Sequence, residues 1–94
     1  MSDFFKMYRK RGFGLAIEIL LGFKDNEAIE SDFFQALKDN DSYLNEFYRS
    51  KGDLLTNNLI GYKLDANYNK IIFLTEKGLA LHEKLKEIDR ILGV

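Results

Sequence analysis

From Ile60 to Leu85 the chain reads IGYKLDANYNKIIFLTEKGLALHEKL. Two runs with the alternation of half-buried strands, Ile60 to Leu64 and Lys70 to Leu74, flank the polar tip DANYN. Thr75 then caps a helical pattern with no linker between. An isolated two-stranded ribbon is marginal in water, so the helices around it must cover its apolar face. The fold class follows: α+β, an antiparallel unit of two or three strands packed on a helical body.

The rest of the chain supplies that body. An N-terminal helix over 1–23, capped by Ser2, carries Phe4, Phe5, Tyr8, Leu15, Ala16 and Ile19 at helical spacing, with Gly12 and Gly14 weakening its middle. Beyond Phe13 it is apolar on nearly every side, the pattern of a helix surrounded by protein. A minimal strand over 28–30 is followed by a helix capped by Ser31 and running to about Leu37. After the turn KDNDS, Asp41 or Ser42 caps a third helix with Leu44, Phe47, Tyr48, Leu54 and Leu55 inward and Ser42, Asn45, Glu46, Arg49 and Asp53 opposite. Lys51 is the misfit, because an unbroken helix aims it at the apolar side, and Gly52 beside it predicts a break or kink. Asn58, suited to the left-handed conformation, closes this helix. The last helix, 75–92, carries the stripe Leu81, Leu85, Ile88 and Leu92.

At 94 residues the chain is expected to be one domain, and 46% hydrophobic content is ample for a core. With no Cys and no apolar leader, a cytoplasmic protein without disulfides, thiolate metal sites or membrane spans is expected. The formal net charge of -1 is not a basic footprint, but charge is segregated: KMYRKRG at Lys6 to Gly12 holds only bases, whereas DNEAIESD at Asp25 to Asp32 holds only acids.

The order helix, short strand, helix, helix, hairpin, helix, and the words NNLIGYKLDANYNKIIFLTEKGLALHEKL and ESDFFQALKDNDSYL, resemble small winged helix-turn-helix regulators of the MarR-like and PadR-like kind. The resemblance covers roughly 28–85, and LTEKG after an apolar strand is its most specific word. The segment near RSKGD is longer than the family's usual pattern. The resemblance implies a helix-turn-helix over 28–60, a wing over 60–74, and a dimeric, non-catalytic regulator of transcription that binds double-stranded DNA without a cofactor.

Residue chemistry then nominates contacts. Asn45 suits adenine and Arg49 guanine in the major groove, with Ser42 and Lys51 beside them. Lys63, Asn67, Tyr68, Asn69 and Lys70 suit phosphates at the wing, and Arg9, Lys10 and Arg11 form a basic arm. Glu46 and Asp53 either accept from cytosine or exclude DNA. Surplus apolar surface on the first helix, with Phe4, Phe5 and Tyr8, and the stripe Leu81, Leu85, Ile88 and Leu92 predict a homodimer through the terminal helices.

Other readings are open. The same fold with its acidic pole suits a protein-interaction module without DNA binding. In the hairpin, Asp65, Asn67, Asn69 and Glu76 fall at calcium-loop positions, although Lys70 stands where that loop's turn wants Gly. An enzyme finds little support: His82 is the only histidine, without Cys or a partner at a recognisable spacing.

Overall fold

The computed structural model describes residues 4–42 and 44–93, with the side chains of Phe4 and Phe5 excepted. The Ser2 cap and the packing of those two rings lie outside the described residues. Among them are five α-helices, α1 (Phe4–Arg9), α2 (Arg11–Leu21), α3 (Glu30–Asp39), α4 (Leu44–Thr56) and α5 (Glu76–Leu92). Three strands, β1 (Glu27–Ile29), β2 (Ile60–Leu64) and β3 (Lys70–Leu74), complete an α+β fold. No helix of the described residues is long and apolar enough to cross a membrane.

The sheet is antiparallel in the order β1-β3-β2. In the hairpin Ile60 faces Leu74 and Leu64 faces Lys70, the register expected from the sequence. Ala28 and Tyr62 flank Ile72 on either side, so the three-stranded form of the wing is the one adopted, in a winged-helix-like arrangement. On the opposite face of the sheet the Phe73 ring lies over Gly61, which has no Cβ to obstruct it.

α2 packs against α3, α4, α5 and the sheet, which explains its near-continuous apolarity. Phe13, Ala16, Ile17 and Leu20 of α2 are buried with Phe33, Leu37, Phe47, Leu54 and Ile72. The Phe33 and Phe47 rings meet edge on, 5.1 Å between centroids. Burial of side chains this size contributes about 1.5–3 kcal/mol each. The apolar surplus of α2 is therefore covered within the chain, and that part of the case for a dimer falls away.

Three local expectations are corrected. The helix over 1–23 is divided at Lys10, whose backbone is extended (φ -70, ψ 121). The division lets Gly12 approach α4 so closely that a Cβ there would run into the Glu46 carbonyl. α3 starts at Glu30 without a Ser31 cap; Glu30 and Asp32 in its first turn favour the helix dipole instead. α4 runs unbroken through Gly52, because Lys51 finds aromatic faces for its ammonium group and needs no kink.

The junction of α4 with the wing follows the sequence closely. Asn58 is left-handed (φ 58), Leu59 N–H donates to the Leu54 carbonyl at 2.9 Å, and Asn58 N–H to that of Leu55 at 3.0 Å. Thr75 then locks α5 to this exit. Its Oγ accepts from Gly78 N–H (2.9 Å), and its own N–H donates to the Leu59 carbonyl (3.0 Å). Gly78 lies so near that carbonyl that a Cβ would collide with it.

Candidate functional site

Asn45, Tyr48, Arg49, Gly52 and Thr56 form the exposed stripe of α4, spaced so that they share one face of the helix. Tyr48, half of it open to solvent (51%), was read from sequence as a core residue. Its ring instead rests against Phe34 and Phe47 at the border of the core and faces outward. Thr56 and Gly52 were also missed; only the helical rotation fixed by Phe47, Ser50 and Leu54 reveals them.

The two acids of α4 do not lie bare on this stripe. Lys10 Nζ reaches Asp53 Oδ2 at 2.9 Å and the Arg49 carbonyl at 3.3 Å. Arg11 Nη1 reaches Glu46 Oε1 at 3.2 Å, and its two terminal nitrogens donate to the Asp41 and Asn40 carbonyls at 3.1 and 3.0 Å. Lys10 and Arg11, 43% and 54% exposed, thus act on the surface as counter-ions of α4, and Arg11 also ties the α3–α4 turn. Arg9 is exposed at the end of α1 with no acid partner among the described residues. Ser42 is 3% exposed and its hydroxyl donates to Glu46 at 3.4 Å, so its side chain is turned inward rather than held on the exposed stripe.

The bases of α4 have no such partners. Among the described residues neither Arg49 nor Lys51 pairs with a carboxylate. Arg49 is exposed. Partly buried Lys51 sets its ammonium over the Tyr48 and Tyr62 rings, 5.6 and 5.1 Å from their centroids. Near it the Ser50 and Tyr62 hydroxyls are buried and meet no partner at hydrogen-bonding geometry. Burial first, and then the negative charge of Glu30, raise the Tyr62 phenol above its ordinary pKa and keep it neutral.

The wing is paired differently. Lys63 meets Glu27 at 3.1 Å and lies over Phe73; Lys70 meets Glu30 at 3.4 Å and lies over Tyr62. At the tip the Asp65 carboxylate accepts from Asn67 N–H (2.8 Å), Asn69 N–H (2.9 Å) and Asn69 Nδ2 (3.1 Å). Those donors, the Asn69 backbone foremost, hold the Asp65 pKa below its ordinary value. Asn69 therefore spends an amide hydrogen on the tip itself. Tyr68, left-handed at φ 62 and 83% exposed, projects beyond it, and Asn67 is exposed beside it.

This tip does not form a calcium loop. Glu76 opens α5 at the far end of β3, a five-residue strand about 17 Å long at roughly 3.4 Å per residue, so it does not converge on Asp65. Among the described residues no group of three or more His, Cys, Asp or Glu is placed to hold a metal.

The residues nominated for a dimer are divided. Leu81 packs against the core and lines a groove of about 740 Å³ with Met7, Phe13, Leu59 and Ala80. Leu85 sits beside Tyr8 and Ile17. Ile88 and Leu92 are exposed, together with Ile91, where α5 leaves the body.

The fold and site define a small α+β chain with a winged-helix-like arrangement and an acid-poor helix face, joined to the hairpin where Lys51 lies over Tyr62. Comparison with protein-family models, with curated proteins and with solved structures finds no match to this chain.

Proposed function

We propose that this chain binds double-stranded DNA as a sequence-reading winged helix and serves as a transcriptional regulator. α4 would enter the major groove, with Asn45, Arg49 and Tyr48 toward base edges, Lys51 at the margin, and Lys63, Lys70, Asn67 and Tyr68 of the wing along the flanking backbone. The observation that carries this reading is the division of charge on α4. The helix holds two acids and two bases, and the structure pairs only the acids, leaving Arg49 and Lys51 uncompensated. An overall charge of -1 is no obstacle when the positive potential is local. The ion pairs of Lys63 and Lys70 are surface pairs of about 0–1 kcal/mol, weak enough to exchange for phosphate.

A homodimer is part of the proposal. Its support is narrower than the sequence suggested: the exposed Ile88, Ile91 and Leu92 at the end of α5, with Tyr8 exposed on α1. Pairing there would present two α4 helices to successive half-sites. Fluorescence anisotropy with a labelled duplex across a salt series tests the DNA reading, with sedimentation at micromolar concentration beside it for the dimer. Affinity that falls steeply with salt is expected. Absence of binding to any duplex at low salt would favour the protein-interaction module, and a monomer would refute the dimer.

A further inference from the structure

The tripeptide Lys10-Arg11-Gly12 serves as the mount of α4. Lys10 holds Asp53, Arg11 holds Glu46 and ties the preceding turn, and Gly12 lets the α2 backbone reach that of Glu46 and Phe47. The geometry of Gly12 accounts for packing alone. The two ion pairs do something packing does not require, because between them they engage every acid on α4. An uncompensated carboxylate on a helix facing a phosphate backbone repels it, and at these separations salt screens that repulsion only in part.

We infer that Lys10 and Arg11 are positioning residues for nucleic-acid binding that act through α4: they neutralise Asp53 and Glu46 and so make its exposed face attractive to DNA without touching DNA themselves. This rests on the DNA reading. It is distinct from a basic arm, which would contact phosphates directly. The structure favours neutralisation, since the Lys10 ammonium holds two acceptors on α4, a carboxylate at 2.9 Å and a helix carbonyl at 3.3 Å, where each wing lysine holds one carboxylate. Arg11 has its terminal nitrogens on three acceptors.

Rescue separates the two. Duplex affinity of the full chain is measured at low salt for wild type, Lys10→Met, Asp53→Asn and the double variant, with thermal melts to confirm folding. Lys10→Met should weaken binding roughly fivefold, the effect of one exposed carboxylate near the DNA backbone. Adding Asp53→Asn should restore affinity to within about twofold of wild type, because the pair then carries the same net charge as before. Asp53→Asn alone keeps Lys10 and should tighten binding. Glu46→Gln alone should likewise tighten binding, while Arg11→Met also loses the bonds to the Asn40 and Asp41 carbonyls. Lys10→Met with unchanged affinity, or a loss that Asp53→Asn does not rescue, would overturn the inference while leaving the DNA reading intact. If Lys10→Met does not fold, Asp53→Asn decides alone: unchanged or weaker binding overturns the inference. A wild type that binds no duplex removes both.

Discussion

α4 and the wing are built from similar residues and treat their charges in opposite ways. On α4 the acids are paired with bases from a distant part of the chain and the helix's own bases stay uncompensated. On the wing the lysines are the paired groups, held by Glu27 and Glu30 at the start of the neighbouring strand and helix. The tip is closed on itself through Asp65. A composition near neutrality therefore says little about a surface: what matters is which charges the fold pairs with one another. All four ion pairs are surface pairs of similar exposure, so the contrast lies in which partner belongs to the element: α4 has its acids covered, the wing its bases.

The largest effect should come from the buried side of α4. Phe47 is fully buried on the inner side of α4 against Phe33, and Phe47→Ala should cost about 3–5 kcal/mol in urea unfolding. A comparable truncation at the tip, Tyr68→Ala, should leave stability within about 0.5 kcal/mol, since that side chain is 83% exposed. Equal losses from the two would abolish the contrast.

The second effect concerns binding. Arg49→Ala should lose about 1–3 kcal/mol on a preferred duplex, if it reads a base edge. Lys63→Ala should lose less than about 1 kcal/mol, because Lys63 already has a partner to give up. The reverse order would move the reading surface from the helix to the wing.

Thr75→Ala is expected to cost about 1 kcal/mol through loss of the α5 cap, measured by thermal melting. The smallest effect is one of pH. Because the folded pKa of Asp65 lies below its ordinary value, its contribution to tip order is complete above that ordinary value and is lost as the pH falls through the lowered one. Hydrogen exchange at the Asn67 and Asn69 amides should quicken relative to other sites in that acid range, and Asp65→Asn should remove this pH dependence. Acid-independent protection in the wild type would show that the carboxylate does not hold the tip.

Much of the fold was legible. The hairpin register, the Thr75 cap and the left-handed Asn58 depend on residues adjacent in sequence, where alternation and side-chain geometry act alone. What was not legible depended on partners far along the chain. Lys10 lies 43 residues from Asp53 and Arg11 lies 35 from Glu46, so the pairing of two members of the basic cluster with α4 is invisible in the local sequence. Lys51 predicted a kink because its only visible options were solvent or core; Tyr62, brought alongside by the sheet, supplies a third. Tyr48 was placed in the core by its hydrophobicity, yet its position on the rim of the Phe34 and Phe47 cluster leaves half of it exposed on the candidate reading face. Asn69 looked like a free donor until the turn at Asp65 claimed it.

Whether α4's exposed face meets DNA can be read by titrating the isotope-labelled chain with an unlabelled duplex and following amide shifts residue by residue. The largest shifts should fall at Asn45, Tyr48, Arg49, Gly52 and Thr56, with smaller ones at Lys63 and at 67–70, and Lys10 and Arg11 should shift little. Shifts centred instead on the groove between Met7, Leu59 and Leu81, with α4 silent, would contradict the DNA reading of α4.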